Sequence, residues 1–374
     1  MNRKALIITY HHSYSYGACL QAWATWKIME SMGLDTAFID YRNRIEELSL
    51  GKTATFFLKR RQVVDACKTA IRNAMGYRSF ALRGFKEFHR CLPKTEKRYE
   101  DREQLNDIDC DVLAVGSDQV WNPSISGSLD PAFLLGFGHA KKRLSVASSM
   151  GNHVVTDPNE SSLLRGSLCS FSGVSVREFH TKQQVDRIAG VDSYLCPDPT
   201  LMLESAIWRD FAKKPKDVEE NAQYLLVFTL NTRSKEEEEA WRRYSKSMGL
   251  PVYRIINNRY RGRFIDRNLH GVTPWEFVWL IDHARFVCTD SYHGTAFSVA
   301  LQTPFALFPS KTGNNVRMNE LLEETKLRDR SDNLDGEMVA QVVDFHFAAE
   351  VLRKRRSEAL EWLSAVLGGL NDGE

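Results

Sequence analysis

Residues 285–308, RFVCTDSYHGTAFSVALQTPFALF, decide how the chain folds. Arg285-Phe286-Val287-Cys288-Thr289 is an apolar run of strand length. Asp290-Ser291-Tyr292-His293-Gly294 is a polar turn. Thr295 to Leu301 reads as a small-residue helix, and after Thr303-Pro304 a second apolar run follows, Phe305-Ala306-Leu307-Phe308. The pattern predicts one βαβ unit with two ionisable residues, Asp290 and His293, on its strand-to-helix turn. Ligands of open α/β sheets bind at such turns, and a helix N-terminus there favours an anion. The spacing leaves equally open that Asp290 caps the helix and His293 bonds locally.

Working outward, composition sets the frame. The 374 residues suggest two domains at roughly 150 residues each. Apolar residues make up 43% and charged ones 26%, which fits a globular protein with a sizeable core. A net charge of +2 gives no global argument for nucleic acid. No apolar run approaches the roughly 18 residues of a membrane span. Met1-Asn2-Arg3-Lys4 before Ala5–Tyr10 resembles a signal peptide only superficially, because the apolar part is short and no cleavage site follows. It reads instead as a first buried strand. The seven cysteines are scattered without CxxC spacing, several inside apolar runs. They imply a reducing cytoplasm, with neither a disulfide framework nor a zinc site.

The N-terminal part repeats the βαβ signal. Lys4–Tyr10 reads as a strand, Gly17 to Met32 as a helix stopped by Gly33, and Asp35–Tyr41 as the next strand. No GxGxxG is present, so no dinucleotide is indicated. Gly17 either lets the backbone approach a ligand or simply makes the turn. Residues 45–108 are charge-rich and expected to be mostly helical. Their run Lys59-Arg60-Arg61, beside Phe56, Phe57 and Leu58, reads as a solvated face or a membrane-surface patch. Asp111–Val115 is a third strand, followed by Gly116-Ser117-Asp118-Gln119-Val120-Trp121-Asn122. Ser117, Asp118, Gln119 and Asn122 could bind a polyhydroxy ligand on which Trp121 stacks; the same residues also suit a capped turn with a packed Trp. Further strands are expected at Leu144–Ser148, Gly173–Val176 and Val191–Cys196. Arg177, at a strand end, suits a bidentate carboxylate or phosphate contact, or a structural pair with Glu178 or another acid. Asp198, between two prolines, is an orienter or a turn cap.

Apolar periodicity fades over 205–221, which predicts a linker, and then restarts. Strands are expected at Gln223–Leu230 and Val252–Ile256, with helices from Ser234 to Met248 and from Pro274 to His283. A basic loop between them carries Arg259, Arg261, Arg263 and Arg267. The predicted organisation is an N-terminal Rossmann-like domain over 1–204, a linker at 205–221, a second Rossmann-like domain over 222–330 and a C-terminal helical segment over 331–374. The fold class is α/β, with a cleft between the two domains.

Four islands in this order resemble the polysaccharide pyruvyl transferase family. They are Tyr16-Gly17-Ala18 with Leu20-Gln21-Ala22 and Ile39-Asp40-Tyr41-Arg42; Gly116 to Asn122; Val176-Arg177-Glu178 with Asp198-Pro199-Thr200-Leu201; and Thr289 to Ser298. The resemblance implies a glycosyltransferase-B-like arrangement of the two domains and phosphoenolpyruvate as donor. The implied acceptor is a sugar or lipid-linked oligosaccharide of a surface-polysaccharide (exopolysaccharide) precursor. The product would be a pyruvate ketal, with phosphate released. It also implies that Arg177 and His293 act at the donor site and that Lys311 has a similar place. It leaves open a nucleotide-sugar-dependent glycosyltransferase of the same architecture and a non-catalytic member of an assembly complex, against which the presence of Arg177 and His293 argues.

The chemistry follows from the donor. Phosphoenolpyruvate carries two anionic groups, for which Arg177, Lys311 and Arg317 supply charge and the amides around Ser291 and Gly294 add a helix N-terminus. His293 has the proton-transfer range that ketal formation needs, with Asp290 as its candidate partner. Gly17, His12, His11, Ser117, Asp118, Gln119, Trp121 and Asn122 are the acceptor-side candidates. The reaction calls for no metal and no cofactor beyond the co-substrate. A cytoplasmic place is expected, with the inner membrane face open as a peripheral site.

Overall fold

The computed structural model describes residues 3–42, 77–256, 262–309, 315–331 and 342–368. Lys59-Arg60-Arg61, Arg259, Arg261 and Lys311 lie outside the described residues. The chain divides into two compact units. One takes the described residues within 1–76, 89–202 and 357–374, the other those within 77–88 and 203–356.

Unit 1 is built on a parallel sheet of five strands in the order β3-β2-β1-β4-β5. These are β1 (Arg3–Ile8), β2 (Leu34–Tyr41), β3 (Lys94–Tyr99), β4 (Asp109–Val115) and β5 (His139–Ser145). Helix α1 (Tyr16–Ser31) joins β1 to β2, and α2 (Tyr77–Cys91), which belongs to unit 1 only from His89 on, precedes β3. Near-continuous apolar stretches such as Ala5-Leu6-Ile7-Ile8 and Val112-Leu113-Ala114-Val115 are fully buried, as a parallel sheet covered on both faces requires. The register sets Ile8 beside Val115, so the two central strands end level with each other. After the short helix α3 (Pro123–Ser126), α4 (Pro158–Leu168), β6 (Ser175–Val176), α5 (Phe179–Ala189) and β7 (Tyr194–Leu195) continue the alternation. Bridges from Leu144 to Gly173 and from Ser148 to Val176 tie β6 to β5. Short helix α6 (Pro199–Met202) closes this part.

Unit 2 repeats the plan with β10-β9-β8-β11-β12, again all parallel. Its strands are β8 (Leu225–Phe228), β9 (Val252–Ile255), β10 (Arg267–Leu269), β11 (Phe286–Thr289) and β12 (Phe305–Leu307). Its helices are α7 (Ser205–Phe211), α8 (Lys235–Met248), α9 (Pro274–Asp282), α10 (Tyr292–Leu301) and α11 (Val316–Glu324); α12 (His346–Leu367) counts with unit 2 up to Arg356 and with unit 1 from Ser357 on. Helices α8 and α9 each start in a full capping box, Ser234 with Glu237 and Thr273 with Glu276. Each box satisfies two orphan donors reciprocally.

Several segments differ from expectation. Residues 94–99 form strand β3, although KTEKRY reads as part of a charged helical stretch. An edge strand tolerates alternating charge because only one side is paired. The same reason hides β10 in what reads as a basic loop. Strand β5 starts at His139, five residues before its apolar half. Residues 205–211, expected in a linker, form α7 within unit 2. Trp208 there is fully buried and packs edge-on against Phe297 at 4.8 Å and Phe211 at 5.4 Å. The C-terminal helix is integrated as well: Trp362 stacks on Tyr194 at 5.1 Å, and Val366 fills the space over Gly173. No described helix is long and apolar enough to cross a membrane.

Candidate functional site

Both sheets reverse strand order at their middle, between β1 and β4 in unit 1 and between β8 and β11 in unit 2. The carboxyl ends flanking such a reversal are where α/β proteins hold ligands. Most of the residues singled out from the sequence lie at these two places.

In unit 2, β11 runs into α10 through the Asp290–Gly294 turn. Ser291 is the N-cap, its Oγ accepting from Gly294 N at 3.3 Å, and Ser291 N donates to Thr289 Oγ1 at 3.1 Å. A Cβ at Gly294 would overlap Thr289 Oγ1, so the helix starts pressed against the strand end. Ser291 and Gly294 thus serve the turn itself.

Asp290 is neither the cap nor the partner of His293. Its side chain has no exposed surface. It accepts from Leu230 N, from Asn231 N and Nδ2 at 3.0 Å each, and pairs with Arg233 Nη2 at 3.2 Å. Arg233 also donates to the Phe308 carbonyl at 3.0 Å and reaches Glu237 at 3.4 Å. Asp290 and Arg233 therefore lock the ends of β8, β11 and β12 together. His293 is half-buried on the first turn of α10, with its ring edge-on to Tyr292 at 5.0 Å. The Arg317 guanidinium lies 5.1 Å from the centre of the same Tyr292 ring. Tyr292 thus brings together His293 and Arg317, two of the predicted donor residues.

In unit 1, Arg177 is a buried, ion-paired cation, its side chain 2% exposed. Its Nε meets Glu178 Oε1 at 3.0 Å, and its Nη1 meets Asp198 Oδ2 at 2.8 Å and Ser117 Oγ at 3.2 Å. Both carboxylates are tied in further: Glu178 accepts from Ser149 and Thr181, and Asp198 accepts from the backbone and hydroxyl of Thr200. Asp198 is therefore at once turn cap and partner of Arg177. Nε and Nη1 of the guanidinium are thus engaged within the protein.

The turn after β4 also differs from a ligand-facing array. Trp121 has no exposed surface and donates its indole N–H to the Phe133 carbonyl at 2.9 Å, so it cannot stack on a sugar. Asn122 caps α3 and donates its amide to Gln119 Oε1 at 2.6 Å. Ser117 is fully buried. Asp118 is half-buried with a positive φ of 88°, and its Oδ1 accepts from Gln119 N.

Next to this turn sits a group of imidazoles that the sequence reading only partly found. His11 is buried and stacked on Phe38 at 5.1 Å, with Nδ1 3.1 Å from the Thr9 carbonyl and Nε2 3.8 Å from Asp40. Burial pushes its pKa down. Asp40 is held below the usual carboxylate range, chiefly by His11 and then by Arg42. His12 lies edge-on to His11 at 5.1 Å. Gly17 is buried inside the first turn of α1 rather than in the loop before it. His89 from α2 meets the Ser13 carbonyl at 3.0 Å and Cys19 Sγ at 3.4 Å. Burial pushes His89 down to about 4 and Cys19 far up, so the pair is neutral at neutral pH. Arg233 and His89 had no sequence role assigned. For Arg233 the signal was available, since Leu230-Asn231-Thr232-Arg233 is a polar strand end like the others. Among the described residues no group of three or more His, Cys, Asp or Glu is placed to hold a metal.

Comparison with known proteins gives the family. No curated protein matches the chain. Among solved structures, UDP-N-acetylglucosamine 2-epimerase from Rickettsia bellii is similar with a TM-score of 0.52 and 10% identity, covering 100% of this chain and 98% of its own. A putative UDP-N-acetylglucosamine 2-epimerase from Listeria monocytogenes follows at TM-score 0.49 and 10% identity, with coverage of 100% and 98%. Arabidopsis thaliana UGT89C1 complexed with UDP-L-rhamnose scores 0.49 at 10% identity, with coverage of 98% and 99%. At such identities the first of these shows a shared α/β fold and nothing of activity. The family model of polysaccharide pyruvyl transferases matches residues 16–312, most of the chain and part of both units. The chain belongs to the polysaccharide pyruvyl transferase family and is a transferase enzyme.

Proposed function

We propose that the protein moves the enolpyruvyl unit of phosphoenolpyruvate onto two hydroxyls of a sugar in a surface-polysaccharide precursor, forming a pyruvate ketal and releasing phosphate. The observation that carries this reading is the family match across residues 16–312. The geometry of unit 2 supports it. His293 stands at the positive end of α10 with Arg317 nearby, which suits an anionic donor and a proton transfer at one place. Lys311, which the family resemblance also assigns to the donor, lies outside the described residues. Asp290 and Arg233 act behind these groups, as the rigid support of the three strand ends. The acceptor belongs at the carboxyl ends of β1 and β4, and Arg177 serves it indirectly by holding Ser117. The reaction is redox-neutral, so the chain's own acids and bases suffice. A lipid-linked acceptor would bring the protein to the membrane face.

Phosphate release from phosphoenolpyruvate, measured with a panel of 4-nitrophenyl glycosides and lipid-linked sugars, tests the reading. Turnover with at least one acceptor is expected. His293→Gln is expected to lower kcat by about a hundredfold or more, the usual worth of a positioned proton-transfer group. No release with any acceptor, together with a thermal shift from UDP but none from phosphoenolpyruvate, would move the assignment to a nucleotide-sugar transferase.

A further inference from the structure

The turn after β4 contains one residue whose conformation its neighbours impose. Asp118 has φ 88°, outside the comfortable range of any residue with a Cβ. Three strands hold it there. Thr9 Oγ1, just past β1, donates to the Ser117 carbonyl at 2.9 Å, and Gln21 steadies that hydroxyl at 3.2 Å. Asp118 bridges to Ser148, beyond β5. Arg177, beyond β6, holds the Ser117 hydroxyl. Gly116 closes the arrangement, since a Cβ there would come within 2.9 Å of Thr9. Backbone strain of this kind persists where surrounding structure over-determines it, and it re-aims a side chain.

The other side-chain polar groups of the turn are used up. Ser117 and Trp121 are fully buried, and Asn122 is divided between its helix cap and Gln119. A Cβ at Gly151 would collide with the Gln119 and Asn122 amides, so only glycine fits beside them. Among the described residues, two side-chain polar groups of the turn remain without a hydrogen bond: Asp118 Oδ2 and Gln119 Nε2. Both residues are half-buried and flank the place where the sheet reverses strand order. A carboxylate oxygen and an amide donor on consecutive residues match a pair of neighbouring sugar hydroxyls: the first accepts a proton and the second orients an oxygen.

We propose that Asp118 is the general base that deprotonates the attacking sugar hydroxyl, with Gln119 Nε2 donating to the neighbouring one; this rests on the pyruvyl-transfer reading above. In the step, the hydroxyl O–H bond breaks and its proton passes to Asp118 Oδ2. The freed electron pair forms the new C–O bond to C2 of the enolpyruvyl unit, whose C3 takes a proton and becomes the methyl group. Addition of the second hydroxyl breaks the C2–O bond to phosphate. Two protons leave the sugar; one is matched by the proton gained at C3, and the other departs with phosphate.

Two substitutions separate base from scaffold. Asp118→Gly removes the carboxylate and at the same time relieves the positive φ, so its melting temperature is expected to equal or exceed that of the unchanged protein. Asp118→Asn keeps Oδ1 for the Gln119 amide and removes only basicity. Both are expected to lower kcat by about a hundredfold or more while calorimetric binding of phosphoenolpyruvate is unchanged. Added formate is expected to restore activity to Asp118→Gly in proportion to its concentration, which a structural role would not allow. Unchanged kcat in either variant, lost donor binding, or a deficit in Asp118→Gly that formate never restores overturns the assignment while leaving the transferase reading intact. Failure of the unchanged protein to release phosphate with any acceptor overturns that reading, and the base with it.

Discussion

Trp121 illustrates how much a single side chain can mislead. In sequence it sits in a dense polar turn, where an indole could equally cover a sugar or fill a core. Tryptophan suits both, having a large apolar body with one polar handle. The structure decides by giving the handle a carbonyl, Phe133 O, and the body no exposure. Trp121→Ala is expected to cost about 3–5 kcal/mol of stability in denaturant titration. Trp121→Phe should fold and keep an unchanged KM for the acceptor; a raised KM in that variant would restore the stacking role. Arg177 gives the same lesson for charge. The acids around it, Glu178 and Asp198, were visible in the sequence, but one is adjacent and the other 21 residues away, and only the fold brings both onto one guanidinium.

At the scale of elements, the stretch from β11 through α10 to β12 is legible because apolar runs, a cap residue and a glycine occur in the order a βαβ unit requires. What stays illegible is the direction in which Asp290 points. A carboxylate at a strand end can cap its own helix or reach sideways to the next strand, and neither choice alters the sequence pattern. It reaches sideways, to the loop after β8. Asp290→Ala would leave Arg233 buried beside Glu237 alone, and removing one member of a buried pair costs roughly 3–5 kcal/mol. Hydrogen exchange should show the Leu230 and Asn231 amides losing protection first, since both donate to this carboxylate. If those amides stayed protected, Asp290 would not be what orders the loop. Edge strands β3 and β10 escaped the sequence reading for a physical reason: their exposed side favours charge, which also marks helices and loops.

Across the whole molecule, two parallel-sheet units follow from the sequence because near-continuous apolar strands alternate with capped helices twice. The division between them is harder to read, since charge-rich residues 205–221 include a helix anchored by the buried Trp208. The imidazoles of unit 1 give the protein a pH dependence with a definite sign. His89 is pushed from 6.5 down to about 4, so between those values the unfolded chain binds a proton that the folded one refuses. Stability is therefore lost as pH falls from about 6.5 to about 4, by up to about 3–4 kcal/mol at roughly 1.4 kcal/mol per unit. His11, also lowered, acts in the same direction. Asp40, held down by His11 and Arg42, adds a loss that begins only below its unfolded value, about 3.9. Denaturation midpoints followed from pH 7 to pH 4 should fall for the unchanged protein and fall less for His89→Gln; parallel curves would remove His89 as the cause.

The transferase reading itself is tested most directly by following phosphoenolpyruvate labelled with ¹³C at C2 through turnover with a glycoside acceptor. The account predicts that the label moves from an enol carbon to a ketal carbon carrying two sugar oxygens and a methyl group, with one phosphate released per ketal formed. Label that stays in phosphoenolpyruvate, or that appears only as free pyruvate while the sugar is unchanged, would contradict it.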